Sequence, residues 1–246
     1  WAETNAIMLK NRRIGLSQSG VIQAFNKHGR REMLEWCDNG YKFVQELDKE
    51  FSDWLCVPRS VRTTSIKPSG TVSLLNGSTP GIHYPEAEYY IRRIRFSTEN
   101  SILKAIQDAG YPVEKDAYSP NTMVASFPVH EPFFQKGKNE ATMWEQLEIA
   151  AAYQHYWADN SVSVTVTFNG DEAKDIKTAL EMYESRLKAV SFLRYQETGY
   201  EQAPYEPITK KEYDKMIKGI TPIQRIETEQ QGAGTVFCDG DTCVID

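Results

Sequence analysis

The sequence lacks the features that mark several large classes of protein. It has no run of about 18 apolar residues, the length that a membrane-spanning helix needs, and its first residues, WAETNAIMLKNRR, have no apolar stretch after a basic start. The net charge is -6, so the clustered positive charge that a polymeric nucleic acid requires is missing. We therefore expect a soluble, cytoplasmic protein that binds neither a membrane nor a nucleic-acid polymer.

Cysteine is also scarce. The four cysteines, Cys37, Cys56, Cys238 and Cys243, are too few and too unevenly spread for a secreted disulfide scaffold of this length. We therefore expect the protein in a reducing compartment, and we expect Cys37 and Cys56 to be buried thiols of the core. The chain also lacks an initiator methionine and opens on Trp1 within sequence that is typical of folded protein, so we expect a part of a longer protein.

Periodic apolar residues are plentiful: 40% of the chain is hydrophobic and 11% aromatic, enough to bury a substantial core. Spacings of three and four predict helices over 32–55, 98–110, 144–157, 171–188 and 209–219, with capping residues at Thr98 and, with Glu212, at Thr209. The helix over 32–55 has an apolar face made of Trp36, Val44, Leu47, Phe51 and Trp54. Alternating or β-branched runs predict strands over 60–66, 89–96, 122–129, 161–168 and 190–193.

Strands that alternate with single helices indicate parallel pairing through crossovers, which makes the predicted fold α/β. After Pro222 the helical period stops. We therefore divide the chain into a folded part, 1–222, and a mobile tail, 223–246.

The stretch KPSGT, residues 67–71, follows a predicted strand and precedes TVSLL, which suits either a helix or a further strand. We prefer the order strand, loop, helix. Gly70 would let a ligand approach the backbone, while Ser69 and Thr71 add hydroxyl donors to consecutive N–H groups, which is one way to hold phosphate without a large basic patch. The spacing of a Walker A motif is absent. An ordinary Pro-Ser-Gly turn explains the same residues.

A second cluster, NGSTPGIHYP, follows closely. Pro80 and Gly81 favour a type II turn with a positive φ at Gly81, and the cluster is either a plain loop or a wall of the same pocket. His83 beside it is expected to be structural.

The tail ends in Cys238 and Cys243, separated by DGDT. Four intervening residues with a glycine allow the close approach that a disulfide needs, so the pair is either a reversible disulfide or two inert thiols. The tail offers no further ligands for a metal. Arg92, Arg93 and Arg95 lie together in YYIRRIRF and either contact an anionic substrate or pair with surface carboxylates.

Five phrases in order carry a family resemblance: KPSGTVSLLNGSTPGIHYP, YYIRRIRFSTENSILKAIQDAGYPVEKD, MWEQLEIAAAYQHYWADNSVSVTVTF, LKAVSFL and QAPYEPIT. Together with NRRIGLSQSGVIQAF near the start, they resemble the C-terminal part of the adenosylcobalamin-dependent ribonucleoside-triphosphate reductases, the monomeric class II ribonucleotide reductases.

The resemblance implies the C-terminal half of a ten-stranded α/β barrel, with Pro68, Ser69, Gly70 and Thr71 binding the phosphates of a nucleoside triphosphate. It also implies that Cys238 and Cys243 pass electrons from thioredoxin to an active-site disulfide by thiol exchange, and that adenosylcobalamin starts thiyl-radical chemistry. The radical cysteine of the family lies in an Asn-Pro-Cys-Gly-Glu-like motif, which this chain does not contain. We therefore expect the radical cysteine to lie outside this chain and the isolated chain to be inactive.

Two other hypotheses remain open. A class I, metal-radical reductase that uses diphosphates shares the barrel and a terminal cysteine pair. A non-catalytic module could instead use the loop to bind a nucleotide and the tail to sense oxidants.

Overall fold

The computed structural model of the chain describes residues 1–195 and 201–223, which fall into two compact units. Unit 1 holds the described residues of 1–89 and 130–195, and unit 2 those of 90–129 and 201–223. None of the described helices combines the length and the apolar character needed to cross a membrane. The predicted tail from residue 224 on, with Cys238 and Cys243, lies outside the described residues.

Unit 1 is built from helices and a small parallel sheet. Its helices are α1 (Ala2–Asn11), α2 (Val21–His28), α3 (Arg30–Trp54), α4 (Val72–Leu75), α6 (Met143–Tyr156), a 3-10 turn (Glu172–Asp175) and α7 (Ile176–Tyr183). Its strands are β4 (Thr165–Phe168) and β5 (Ser191–Arg194).

Four extended segments of unit 1 run parallel to one another. Strand β4 pairs with β5 in parallel register, Thr165 opposite Ser191. Two isolated parallel bridges, Leu16 with Thr64 and Ile66 with Val162, add the segments that contain these residues. The order is therefore 14–17, 62–67, 160–168 and β5, with helices in each connection, which confirms the predicted parallel arrangement in this unit. The predicted strands over 60–66 and 161–168 are shorter than expected: the first makes only the two bridges, and β4 begins at Thr165.

The core of unit 1 lies around α6. Met143, Leu147 and Tyr153 are at most 1% exposed, and the helix begins with a capping box in which the Glu145 N–H donates to the Thr142 hydroxyl and the Glu145 carboxylate accepts from the Thr142 N–H. Eight of the 14 residues of α6 are buried, so most of the helix lies in the interior of the unit.

Helix α3 confirms the predicted helix, but the predicted apolar face is buried only in part, at Val44 and Leu47. The side chains of Trp36, Phe51 and Trp54 are 46%, 49% and 69% exposed, whereas Cys37 is buried. The core contacts come instead from Cys37 and its partly buried neighbours, because the side of a 25-residue helix that meets the core is set by the elements packed against it.

Unit 2 contains a four-stranded sheet and two helices. The elements are β1 (Tyr89–Ser97), α5 (Ile102–Asp108), β2 (Val113–Lys115), β3 (Thr122–His130), β6 (Tyr205–Pro207) and α8 (Lys210–Ile217). The sheet order is β2-β3-β1-β6. The pairs β2 with β3 and β1 with β6 are antiparallel, so parallel pairing is wrong here. Both three-residue strands escaped prediction because so short a run has no measurable period, and a connection as short as that from β2 to β3 favours an antiparallel pair.

Two of the predicted helices differ from the structure at their ends, and the cap of a third is confirmed. Helix α5 begins at Ile102, after Ser101 and not after Thr98, and the Ile102 N–H donates to the Asn100 side chain at 3.0 Å. The helix predicted over 171–188 is a 3-10 turn followed by α7, which ends at Tyr183. The capping box of Thr209 and Glu212 on α8 is confirmed.

The carboxylate of Asp159 fastens the segment 62–67 to the third extended segment. It accepts the Thr63 N–H at 3.0 Å and the Thr64 N–H at 2.9 Å. The Thr63 hydroxyl, which is held by Gln45 at 2.6 Å, donates to the same carboxylate at 3.1 Å. Hydrogen bonds to a charged acceptor are stronger than neutral ones. This side chain therefore helps to hold segment 62–67 beside its parallel neighbours.

His83 fastens the loop after α4 to the start of β4. Its Nδ1 lies 3.0 Å from the Pro80 carbonyl oxygen, and its Nε2 accepts the Thr165 N–H at 3.2 Å. The first nitrogen must then carry the proton and the second must not, which fixes the neutral tautomer. Burial lowers the pKa of His83 below its usual 6.5, although the Pro80 carbonyl opposes this shift. The expectation of a structural histidine agrees with this geometry.

We predict that Asp159→Asn destabilises the protein by about 2–3 kcal/mol, because two backbone N–H groups lose a charged acceptor. The measurement is the free energy of unfolding from urea titration. Asp53→Asn, a change of the same kind at an exposed position of α3, is the control and should stay within about 0.5 kcal/mol of the parent. Equal effects of the two substitutions would contradict the role of Asp159.

A second prediction concerns pH. Because the folded-state pKa of His83 is lowered, its contribution to stability is complete above the unfolded value of about 6.5 and is lost as the pH falls through the folded value. The Asn of His83→Asn can keep the bond to Pro80 but does not titrate, so this variant should lose less stability than the parent as the pH is lowered from the unfolded pKa through the folded one. The exposed His155, changed to Asn, is the control. Parallel stability curves for the parent and His83→Asn would refute the prediction.

Candidate functional site

The stretch KPSGT lies at the carboxyl end of the segment 62–67, inside the parallel array of unit 1. Ligands of α/β proteins bind at the carboxyl ends of parallel strands, where the loops leave the sheet. Pro68 to Gly70 are partly exposed, and Lys67 and Thr71 are exposed. The loop is therefore accessible while its stem is buried.

Within the loop, Ser69 has a left-handed backbone with φ of 52°. Its carbonyl oxygen accepts the Ser73 N–H at 3.1 Å and the Ser73 hydroxyl at 2.6 Å. The chain then enters α4, a single turn of four residues. The predicted helix is present, but it is too short for its dipole to matter, so any anion binding depends on the loop's own N–H groups.

Those N–H groups are available. Among the described residues, no acceptor takes a hydrogen bond from the backbone N–H of Ser69, Gly70 or Thr71. Consecutive N–H groups around a left-handed residue form the concave arrangement that binds anions. The loop therefore combines three unused backbone donors with two hydroxyls.

Gly70 is not required by the fold. A Cβ added there would have no neighbour within 4 Å, and its φ is not in the left-handed region. The space beside this glycine is open to solvent, so a ligand can reach the backbone there. This is the approach that the sequence predicted for Gly70.

Two further loops meet KPSGT. The first, residues 17–20, lies at the carboxyl end of the neighbouring segment, where the Ser17 hydroxyl accepts the Lys67 N–H at 2.9 Å. The second, residues 76–83, contacts the first loop through the Gly20 N–H, which donates to the Thr79 carbonyl at 2.8 Å. The structure thus brings together both clusters predicted from the sequence and adds a third loop.

The turn at Pro80 and Gly81 differs in type from the prediction. Gly81 has the expected positive φ of 53°, but the turn runs from the Pro80 carbonyl to the His83 N–H at 2.9 Å, which puts Gly81 at its second position and not its third. A Cβ on Gly81 would lie 2.7 Å from the Lys67 carbonyl oxygen. The glycine is needed so that the two loops can touch.

Sequence reasoning missed Ser17 and Gln23 as parts of this region. Gln23 of α2 bonds the Thr79 N–H and the Gly77 carbonyl at 3.2 and 3.0 Å. The only signal was the SQSG stretch, which resembles KPSGT in its small hydroxyl residues and glycine. That signal gives no information on which loops meet in space.

Of the two cysteines predicted to be buried, only Cys37 is buried in the structure. Cys37 is buried, and its thiol lies 3.7 Å from the Gln18 side-chain oxygen. Burial raises the pKa of Cys37, so the thiol form dominates and the group is poorly nucleophilic. Cys56 is exposed, so its predicted burial is wrong. It follows the end of α3 in a left-handed conformation with φ of 52°.

The arginines of β1 hold their own unit together. Arg92 donates to the Pro204 carbonyl at 3.1 Å, and Arg93 donates to the Ala203 carbonyl at 3.0 Å and pairs with Glu206. Arg95 pairs with Asp116 at 3.2 Å. All three side chains are thus engaged inside unit 2. Arg93 and Arg95 pair with carboxylates, as one of the two interpretations expected, whereas Arg92 contacts backbone carbonyls and the Tyr205 ring. No group of three or more His, Cys, Asp or Glu side chains suited to a metal ion occurs in the described part of the chain.

Comparisons with known proteins extend over the whole chain. No protein-family model matches it. A probable adenosylcobalamin-dependent ribonucleoside-triphosphate reductase of Dictyostelium discoideum is 43% identical over 252 residues, covering 100% of this chain and 33% of that protein. Adenosylcobalamin-dependent ribonucleoside-triphosphate reductases from Euglena gracilis and Lactobacillus acidophilus are 42% and 34% identical, covering 99% and 100% of this chain and 35% and 38% of those proteins.

A solved structure gives the same result. The crystal structure of a B12-dependent (class II) ribonucleotide reductase matches 89% of this chain and 34% of that one, with a TM-score of 0.81 and 32% sequence identity. The chain spans about a third of the length of the curated relatives that it matches. Over its whole length, the chain is similar to a part of the adenosylcobalamin-dependent ribonucleoside-triphosphate reductases.

Proposed function

We propose that this protein takes part in the adenosylcobalamin-dependent reduction of ribonucleoside triphosphates to 2′-deoxyribonucleoside triphosphates. The observation that carries the proposal is the similarity of the entire chain, at 42–43% identity, to proteins named for that reaction. The chain would supply the loop that binds the substrate phosphates and the terminal thiols that supply electrons. The proposed enzyme is cytoplasmic and monomeric.

The same similarity supports a proposal on architecture. We expect unit 1 to contribute strands to one half of a ten-stranded α/β barrel. The four parallel extended segments with helices in their connections agree with such a half. The exposed aromatic side chains of α3, Trp36, Phe43, Phe51 and Trp54, would then contact parts of the protein beyond this chain, since a large apolar patch left in water is unfavourable.

In the proposed site, Pro68, Ser69, Gly70 and Thr71 hold the substrate phosphates. The N–H groups of Ser69, Gly70 and Thr71 would donate to phosphate oxygens, and the Ser69 and Thr71 hydroxyls would add two more donors. Gly70 leaves the space in which the phosphate sits. The loop positions the nucleotide and leaves the radical chemistry to other residues.

Adenosylcobalamin is the cofactor of the proposed reaction, and it would supply the radical that starts the chemistry. We assign no described residue to its site and expect much of its contact surface to lie outside this chain. The cysteine on which a thiyl radical forms would lie outside this chain as well, because the Asn-Pro-Cys-Gly-Glu-like motif is missing.

Cys238 and Cys243 are the proposed redox shuttle, in a part of the chain outside the described residues. One thiolate attacks a sulfur of the active-site disulfide to form a mixed disulfide, and the second thiol of the pair resolves it. The active-site cysteines leave as two thiols, and the tail pair leaves as a disulfide. The dithiol of thioredoxin then reduces the tail pair by the same exchange and is itself oxidised.

The relatives favour this class over the two alternatives. The three reductases described above carry adenosylcobalamin in their names, which argues against a metal-radical, diphosphate-using enzyme. A non-catalytic nucleotide-binding module would need the chain to bind nucleotide without any reduction. Assay of the full-length gene product for triphosphate reduction, with and without adenosylcobalamin, distinguishes the three.

The phosphate loop has a direct test in Gly70→Ala. The added methyl group meets no protein atom, so the free energy of unfolding should change by less than about 1 kcal/mol. The methyl group occupies the space proposed for phosphate, so the dissociation constant of the nucleoside triphosphate should rise about tenfold, equal to about 1.4 kcal/mol.

Two other glycines give the controls for this test. Gly40 of α3 has room for a methyl group at 3.4 Å from the Trp157 ring, and Gly40→Ala should bind as the parent does. Gly81→Ala, which would collide with the Lys67 carbonyl, should lose stability and binding together. Unchanged triphosphate affinity in Gly70→Ala would count against the proposed loop.

The redox shuttle is tested by Cys238→Ser and Cys243→Ser in the full-length protein. Turnover with thioredoxin should fall to background, because the relay to the active site is broken. Turnover with a small dithiol, which reaches the active-site disulfide by diffusion, should be retained. The exposed thiol of Cys56, changed to Ser, is the control and should leave both rates unchanged. Equal loss with both reductants would remove the shuttle role.

A further inference from the structure

The loop of residues 76–83, called here the supporting loop, is in backbone contact with the phosphate loop of residues 67–71. At Gly81 the approach is so close that a Cβ would lie 2.7 Å from the Lys67 carbonyl oxygen and 3.4 Å from the Pro68 Cα. No side chain separates the two loops at this point. A shift of the supporting loop therefore moves Lys67 and Pro68, and with them the N–H groups that follow.

The side chain of Gln23 holds the supporting loop from α2. Its Oε1 accepts the Thr79 N–H at 3.2 Å, and its Nε2 donates to the Gly77 carbonyl at 3.0 Å. The same Nε2 donates to the Glu131 carboxylate at 2.6 Å. The amide NH₂ has two donor hydrogens, and both are used, so the amide can be placed in one orientation only.

Glu131 determines that orientation. The residue is 3% exposed, and an ionised carboxylate accepts hydrogen bonds and donates none. It therefore selects the NH₂ side of the Gln23 amide and leaves Oε1 to face the Thr79 N–H. A buried carboxylate is unfavourable unless it is hydrogen-bonded, and the Gln23 amide supplies one such bond.

The start of α2 adds a second attachment. The Gly20 N–H donates to the Thr79 carbonyl at 2.8 Å, and the Val21 N–H donates to the Gly81 carbonyl at 3.3 Å. Gln23 thus lies close to a point where α2 already touches the supporting loop. Thr79 is bonded on both sides of its peptide, although its buried hydroxyl has no partner among the described residues.

We propose that Gln23, oriented by Glu131, is a positioning residue for substrate phosphate: it holds the supporting loop against the phosphate loop, so that the N–H groups of Ser69, Gly70 and Thr71 converge on one anion. This inference rests on the proposed function of the phosphate loop. Gln23 does not touch the substrate. It acts through Thr79 and Gly81 on Lys67 and Pro68.

The test uses Gln23→Glu in the full-length protein. The substituted carboxylate keeps an acceptor for the Thr79 N–H, but it loses both donors and opposes the carboxylate of Glu131. We expect the KM for the ribonucleoside triphosphate, and its dissociation constant measured by equilibrium dialysis with ATP, GTP, CTP and UTP in turn, to rise about tenfold. The value of kcat should stay within about twofold of the parent, because the reacting groups are not displaced.

Exchange of the two residues provides the rescue. In the double variant Gln23→Glu with Glu131→Gln, the amide at 131 donates to the carboxylate at 23, so the pair is restored with its direction reversed. The KM should return to within about threefold of the parent, while the bond to the Gly77 carbonyl stays lost. The same change of charge at an exposed position of α5, Gln107→Glu, is the control and should not change KM.

Three results would overturn the inference. A lower kcat and a lower melting temperature with unchanged KM would show that Gln23 only stabilises the fold. Failure of the double variant to recover would remove the role of Glu131. If Gln23→Glu does not fold, Gln23→Met removes both donated bonds and also the acceptor for the Thr79 N–H, without adding a charge. An unchanged KM in that variant would overturn the inference as well.

The failure of the inference is distinguishable from failure of the proposed function. If Gly70→Ala raises KM and the Gln23 variants do not, the phosphate loop stands and the positioning role falls. If Gly70→Ala leaves KM unchanged, the loop does not bind the substrate phosphates, whatever the Gln23 variants do.

Discussion

The structure of the candidate site depends on the carboxylate of Asp159. It binds the N–H groups of Thr63 and Thr64 and so places the second extended segment between its neighbours. Two isolated bridges and backbone hydrogen bonds, among them Ser65 N–H to the Leu16 carbonyl and Ser163 N–H to the Ile66 carbonyl, join that segment to its neighbours. The carboxylate adds charged hydrogen bonds at the start of the segment. The proposed phosphate loop begins at the carboxyl end of the same segment. One charged acceptor at the start of the segment, together with these backbone bonds, thereby holds the place where the loop begins.

Beyond that segment, the site is an assembly of three loops, each held by a different kind of bond. Ser17 bonds the N–H of Lys67 with its hydroxyl, and Gly81 allows two backbones to touch. His83 joins the supporting loop to β4 with both ring nitrogens. Within the described residues, the N–H groups proposed to meet phosphate are left unpaired by this network. Preorganised binding requires this arrangement, in which hydrogen-bonded loops surround backbone donors that have no partner within the described residues.

Local sequence predicted the helices well where period and caps agree. Helices α3, α6 and α8 lie where the spacing of apolar residues puts them, and the capping box of Thr209 and Glu212 is present. Prediction failed where the outcome depends on distant partners. The three-residue strands β2 and β6 exist only because β3 and β1 offer them an edge. The exposed side of α3, with Trp36 and Trp54 in solvent, likewise depends on which elements pack against the helix.

The sequence alone determined the composition of the candidate site: KPSGT, the second glycine and proline cluster, the terminal cysteine pair and the family to which these phrases point. Local chemistry is enough for this, because a glycine without a Cβ has its properties wherever it lies. Tertiary structure decided which of these parts meet. Gln23 and Glu131 are 108 positions apart in the chain, and no local pattern links them. They become neighbours because the segment after β3 packs against α2, and only that contact shows how the proposed phosphate loop is held.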